Sequence, residues 1–394
     1  MDNTKQLNIE YFSLQSLFWM TYCMVVGFSV TYLLSCGYSN SEAGYILASA
    51  NICALILQPF FADLADRSKK INAMTIFLVS IEIIFVCSIG LFFIGVRSLI
   101  LTLIYVVMIT LANAVIAFLT SIQFLMDTSK SKINFGLCRA GGSLCFAILS
   151  ALMGIMIERI GMKSIPLALF IITLLIIGLC IFITHHSING NIKAVLTLEK
   201  KRSSSLFVFF KENLRFMILS IAMLFIYYAH AFITNFTISI VRNVGGDNRE
   251  MGYLIAFMAL MELPGMIGFK EISRRFKVSS LLLFSMIMFS IKAIIVWLSP
   301  SLMTLTFGFA LQVVSFAIYI PASVQYANII IDEKDTVKAQ MMFNLMQTGG
   351  AVFSSIIGGW LIDFSGISHA LLIGAILSCI GTIIAFAGIQ NTKR

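Results

Sequence analysis

Charge is scarce in this chain. Only 11% of its 394 residues are Asp, Glu, Lys or Arg, too few to coat a soluble particle of that size, while 59% are hydrophobic and the mean hydropathy is +0.97. Such a composition belongs in a membrane. No Gly-Lys dipeptide occurs, so there is no GxxxxGKS/T phosphate loop and an ATP-driven pump of that type is excluded. The eight cysteines form no CxxC pair and lie mostly inside apolar runs, which argues against a disulfide framework or a zinc site and for small packing residues. Of four histidines only His185 and His186 are neighbours, so nothing has the ligand spacing of a metalloenzyme; no metal, cofactor or catalytic activity is expected. A net charge of +9 would suit a nucleic-acid partner, but the basic residues fall in short loops between apolar runs, where they act as topology signals, and no nucleic acid is expected.

What the chain has in abundance is apolar runs of about 20 residues, the length that crosses some 30 Å of hydrocarbon. Twelve can be marked, near 11–34, 42–62, 71–95, 99–126, 134–157, 165–184, 214–240, 251–269, 279–298, 302–330, 338–362 and 368–389. The first runs on into a second and no small-residue cleavage site stands out after it, so it reads as a span and not as a removable signal. The stretch GYILASANICALILQPFFADLADRSKK, from Gly44 to Lys70, ends a span in a charged, water-facing turn, and its design returns 208 positions later from Gly252. Gly44 matches Gly252, Tyr45 matches Tyr253, Ala48 matches Ala256, Arg67 matches Arg275 and Lys69 matches Lys277. A repeat at half the chain length predicts two homologous bundles, 1–184 and 212–394, joined by a polar cytoplasmic linker, 185–211, that is in part an interfacial helix. With the N-terminus in the cytoplasm, 20 Lys and Arg residues fall on the inner side and five on the outer, Arg97, Arg159, Lys163, Arg242 and Arg249. This predicts a multi-pass protein of the cytoplasmic membrane, a monomer in the lipid bilayer with both termini inside.

Twelve spans in two halves, a long central linker and a charged turn after spans two and eight resemble the major facilitator superfamily. Three stretches, Gly37 to Arg67, NFGLCRAGGSLCFAI from Asn134 and KAQMMFNLMQTGGAVFSSIIGGWLID from Lys338, are similar to its lactose permease branch of oligosaccharide and nucleoside proton symporters. The resemblance implies an all-α membrane protein with twelve transmembrane helices in two pseudo-symmetric six-helix bundles. It also implies secondary transport of a small-molecule substrate by alternating access, with a site near the bilayer midplane and a proton, or Na⁺, as the coupling ion.

Ionised side chains inside a span are expensive and usually meet a partner or a water-filled cavity. Four stand there: Glu82 in span three, Arg139 in span five, Glu262 in span eight and Lys292 in span nine. Glu262 lies in AFMALMELPGMIGF, where Pro264 is expected to weaken the helix and free carbonyls, and it is the first candidate for the proton carrier, the alternative being a static ion pair with Lys292. Lys292 stands where the branch has a span-nine arginine involved in coupling; Glu82 reads either as its partner or as a second proton site. The helix carrying the essential carboxylate of the branch aligns that group with Ala259, so the likeness of Glu262 is one of type and depth. His230, deep in span seven, is a further coupling candidate, the alternative being a satisfied core histidine.

Arg139 matches the arginine that binds galactoside hydroxyls in the branch, although its usual span-four glutamate falls here near Ser121 to Gln123. Tyr227 and His230 align with aspartates of the branch, Gln347 with a lysine, and Phe316 and Tyr319 with its coupling histidine and glutamate. The coupling set is therefore different. Substrate contacts are expected from Gln123, Asn235, Gln325 and Gln347, with Trp19, Tyr22 and Tyr228 as aromatic faces; Asn51, Asn113, Gln312, Asn328, Asn344 and Trp297 could also line the path. Interhelical hydrogen bonding is the competing role for each amide. Asp63, Asp66 and Arg67, with Arg274 and Arg275, read as conformational latches. The glycine pairs Gly141/Gly142, Gly349/Gly350 and Gly358/Gly359 read as close helix contacts. The function expected is proton symport of a sugar or glycoside. The rival is a proton-driven exporter of drugs or metabolites, but its customary glycine-proline motif in span five is missing, since the prolines are Pro59, Pro166, Pro264, Pro300 and Pro321.

Overall fold

The computed structural model describes residues 3–68, 71–127, 133–185, 206–332 and 335–392. Among them there is no strand. In hydrocarbon no water can satisfy a backbone N–H or C=O, so an apolar run must close its own hydrogen bonds, which is why each marked run is helical. Ten helical stretches are long and apolar enough to cross a bilayer, and two pairs bent by 42° and 43° bring the number to twelve. Large apolar side chains face outward throughout, such as Ile56, Phe93 and Met303, as a lipid-facing surface requires.

The described residues divide into two compact units, one up to position 198 and one from position 199. In the first, span one is Asn3–Tyr22 continued by a π-turn, Cys23–Gly27, and Ser29–Ser35. Span two is Asn40–Arg67, span three Ala73–Phe93, and span four Leu99–Ala114 with Ile116–Met126. Span five is Phe135–Ile160 and span six Ser164–Ile183. In the second, a short helix, Leu206–Glu212, leads into span seven, Leu214–Asn235 with Thr237–Asn243. Span eight is Asn248–Arg275 and span nine Val278–Leu298. Span ten is Leu302–Ala310, a 3₁₀ turn over Leu311–Val313, and Phe316–Ile330. Span eleven is Thr336–Phe353 with a π-turn, Ser354–Gly358, and Gly359–Ser365; span twelve is Ile367–Gly388. Most of the expected linker lies outside the described residues.

The internal repeat extends to details that the residue matches did not reveal. Span one packs on five and six, two on four, and three on six; span seven packs on eleven and twelve, eight on ten, and nine on twelve. Spans one and seven both break at a phenylalanine, Phe28 and Phe236, 208 positions apart. The hairpins that follow turn at Gly37 and Gly245, whose φ angles of 90° and 82° suit a residue without a Cβ, again 208 apart. Spans two and eight then start on capping boxes, Ser39 with Glu42 and Asp247 with Glu250, at the same offset. Each box satisfies two backbone N–H groups that the first turn leaves without partners.

Pro264 does not interrupt span eight, which is helical from Asn248 to Arg275. The irregularity expected there lies across the contact, in span ten. A Cβ at Gly265 would stand 2.4 Å from the Val313 carbonyl oxygen and 2.5 Å from the Ala317 Cβ, so the 3₁₀ turn of span ten is seated directly on the glycine that follows the proline. The core of this unit is aliphatic and aromatic, built from Phe216, Leu219 and Met223 of span seven, Leu282, Met286 and Phe289 of span nine, and Phe343 of span eleven. The Phe216 and Phe343 rings are 4.7 Å apart.

Candidate functional site

In the C-terminal unit, span nine carries Lys292 into the interior, where it is 1% exposed. Its Nζ donates to Gln312 Oε1 at 2.6 Å, lies 3.9 Å from Met258 Sδ, and stands 5.5 Å from the centre of the Phe309 ring. Gln312, equally buried, donates from Nε2 to Glu262 Oε1 at 3.0 Å. Spans eight, nine and ten are thus tied by a carboxylate, an amide and an amine in series. An ammonium can only donate, so the amide must turn its oxygen to Lys292, which leaves its NH₂ for the half-buried Glu262. Of the pairings that the sequence leaves open, Lys292 is linked to Glu262, and the link runs through Gln312.

Beside this chain, His230 is 8% exposed and stacked on Phe316, with ring centres 5.1 Å apart and planes inclined by 22°. The edges of Phe289, at 5.2 Å, and Tyr227, at 5.1 Å, complete an aromatic box. Among the described residues His230 Nδ1 has no hydrogen-bond partner, so the reading of a satisfied core histidine is not met at that atom. Gln347 donates to Tyr319 Oη at 2.9 Å and Asn235 to Ser355 Oγ at 3.1 Å, so both amides join helices within the unit. Tyr228 is packed inside, 2% exposed, next to Gly374 of span twelve. Gln325 is exposed.

In the N-terminal unit the half-buried Arg139 donates to Ser143 Oγ at 2.8 Å, and its guanidinium carbon lies 4.0 Å from the centre of the Trp19 ring. From there a hydrogen-bonded row runs along span one. Trp19 Nε1 donates to Gln15 Oε1 at 3.0 Å, Gln15 Nε2 to Tyr11 Oη at 2.8 Å, and Tyr11 Oη to the Leu119 carbonyl of span four at 2.9 Å. A second row ties spans one, four and two: Tyr22 Oη donates to Asn113 Oδ1 at 2.9 Å and Asn113 Nδ2 to Asn51 Oδ1 at 3.0 Å. The Trp19 and Tyr22 rings are 5.3 Å apart and join the rows. Gln15 and Tyr11 escaped the sequence reading, yet Tyr11, Gln15 and Trp19 recur every four residues, a polar stripe on one helical face. Glu10, 4% exposed and accepting from Gln6 at 3.0 Å, also escaped it.

Other expected site residues stand apart from these rows. Glu82 is exposed on span three among exposed Val79, Ile83 and Val86, because depth in a span does not determine which face a residue occupies. Gln123 is half-buried near the end of span four. Of the latch residues, Arg274 pairs with Glu271 on its own helix at 2.9 Å, and Arg275 and Asp63 are exposed. The side chains of Asp66 and Arg67 lie outside the described residues. Arg139 and Gln347 prove to be counterparts 208 positions apart, each two residues before a glycine pair that faces span one or span seven.

Chemically, the first unit offers a guanidinium on an indole face with amide and phenol groups alongside, a surface suited to hydroxyl-bearing rings. The second offers a carboxyl group that can change its proton within reach of a buried amine.

The sequence matches the model of the MFS_1 like family over residues 7–372. It is similar to the maltose permease of Geobacillus stearothermophilus, 21% identical over 347 residues that cover 88% of this chain and 85% of that protein. Its fold is similar to the crystal structure of the nucleoside transporter NupG, with a TM-score of 0.78 at 14% identity, covering 98% of both chains. It is also similar to a bacterial homolog of the human lysosomal transporter Spinster, with a TM-score of 0.71 at 12% identity over 98% of this chain and 97% of that one. The chain belongs to the MFS_1 like family and is a transporter of the major facilitator superfamily.

Proposed function

We propose that this protein is a proton symporter that takes up a sugar or glycoside across the cytoplasmic membrane, with both termini in the cytoplasm. The observation that carries the reading is the buried series of Lys292, Gln312 and Glu262. An amine withdrawn almost wholly from solvent is stabilised by a nearby carboxylate, and protonating that carboxylate removes the stabilisation, so one proton changes the energy of the packed unit. Glu262 carries the proton and Lys292 responds to it. Arg139 and Trp19 bind the solute, the guanidinium donating to hydroxyls and the indole covering an apolar ring face. The likeness to a maltose permease favours a sugar over other polar solutes, and the asymmetry of 20 inner to five outer basic residues supports the orientation.

The test uses purified protein in proteoliposomes holding a pH-sensitive dye. An imposed proton gradient is expected to drive accumulation of maltose or a related glycoside together with proton entry. Glu262→Gln is expected to abolish accumulation while exchange down a gradient persists. Accumulation by that variant would refute the role of Glu262, and solute entry driven by Na⁺ with no proton movement would refute proton coupling.

A further inference from the structure

Gln312 is neither a proton carrier nor a residue for which the resemblance supplies a role, yet both ends of its amide are committed. Lys292 takes the oxygen at 2.6 Å and Glu262 the NH₂ at 3.0 Å, with the amide 1% exposed. Its backbone lies in the 3₁₀ turn over Leu311–Val313, the one irregular turn of span ten, where tighter i→i+3 bonding replaces the α-helical ladder. That turn rests on span eight through Gly265, where any side chain would collide with the Val313 carbonyl. A glycine contact, a helix irregularity and a two-ended amide thus converge within one turn of Glu262.

We propose that Gln312 is the positioning residue of coupling, holding Glu262 and Lys292 in one chain so that a change of charge on Glu262 reaches both Lys292 and the 3₁₀ turn of span ten. While Glu262 is ionised, its bond from Gln312 is charge-assisted and the amide is pinned between two charges. When Glu262 takes up a proton, that bond becomes one between neutral groups and the amide is held chiefly by Lys292. The turn that carries Gln312 is then tied less strongly to span eight. An amide cannot titrate, so it transmits the change without competing for the proton. Among the other titratable groups of the neighbouring spans, His230 is enclosed by Tyr227, Phe289 and Phe316 and Tyr319 is engaged by Gln347; neither is hydrogen-bonded into this chain in the contacts above.

The inference rests on the symport reading, and the experiment separates the two. Parent protein, Glu262→Gln, Gln312→Met and Gln312→Glu are compared in proteoliposomes with maltose as the probe, scoring gradient-driven accumulation and counterflow across external pH. No gradient-driven accumulation by the parent would remove the symport reading and the inference with it. With the parent active and Glu262→Gln uncoupled, Gln312→Met, which keeps volume but loses both hydrogen bonds, is expected to reduce the accumulation ratio by about tenfold or more at every pH while counterflow continues. Gln312→Glu keeps an oxygen for Lys292, and its new acid can donate to Glu262 only when protonated, so accumulation is expected to recover in acidic medium. Parent-like accumulation by Gln312→Met, or the same pH profile for both variants, would overturn the inference and leave Gln312 a packing residue. Should Gln312→Met fail to assemble, a pH profile of Gln312→Glu identical to the parent's would overturn it equally.

Discussion

Two adjacent glycines in span eleven are expected to answer the same substitution with opposite signs. At Gly350 an added Cβ would lie 2.6 Å from the Leu224 carbonyl oxygen, 2.9 Å from the Tyr228 amide nitrogen and 3.1 Å from the Tyr227 Cβ. Two of these are backbone atoms of span seven and cannot swing aside. To restore ordinary contact the helices must part locally by about 0.8 Å, and a gap of that size forfeits a quarter to a half of the dispersion energy of the atoms lining it. Overpacking of this kind costs about 1–3 kcal/mol. Replacing glycine by alanine inside a helix returns about 1 kcal/mol, so Gly350→Ala should be destabilising by up to about 2 kcal/mol. At Gly349 the nearest atom is the Leu224 Cδ1 at 3.5 Å, an ordinary contact with a mobile methyl group. Gly349→Ala should therefore keep most of the helix gain. The difference of about 1–3 kcal/mol corresponds to roughly 2–12 °C for a unit of this size. It can be read from the fraction of monodisperse protein that survives graded heating in one detergent. If Gly350→Ala survived as well as Gly349→Ala, the close approach of spans seven and eleven would be refuted.

Two further outcomes follow from the first unit. Asn113→Leu strips the Tyr22 hydroxyl and the Asn51 amide of their shared partner, and heating of the variant should reveal a loss of about 2 kcal/mol; parent-like survival would mean that water replaces Asn113 without penalty. Arg139→Lys keeps the charge but loses the planar face over Trp19 and the fixed fork that reaches Ser143. An apparent KM raised by about five- to tenfold with little change in maximal rate is expected in solute uptake, and an unchanged KM would remove Arg139 from the binding role.

Much of the fold was legible because a bilayer leaves few options. Twelve apolar runs had to be helices, and each marked run corresponds to a helical span among the described residues. The repeat was visible in five residue matches, but its deeper expression, the breaks at Phe28 and Phe236 and the paired capping boxes, needed backbone geometry. Pro264 illustrates the limit of local rules. A proline predicts a weakened helix, yet span eight remains helical and the irregular turn lies in span ten, opposite Gly265, because helix contacts determine where the backbone yields.

The candidate residues divide along the same line. Which side chains carry charge inside a span could be read directly, and Glu262, Lys292 and Arg139 were singled out in that way. Which of them meet could not. Glu82 and Lys292 have comparable depth in their spans, but one is exposed and the other buried, because helical rotation separates faces that position along the helix does not. Gln312 looked like any other polar residue in an apolar run until the 3₁₀ turn brought its amide between a carboxylate and an amine from two other spans. Composition and hydropathy by themselves determined that this chain enters a membrane as twelve helices, since transfer of apolar surface depends on residue type and run length alone, and the residue matches at an offset of 208 showed that they form two related halves. Only the tertiary structure decided which buried charges are linked and through what, because hydrogen bonding is directional and short-ranged, and the partners lie 20 and 50 residues apart in the sequence.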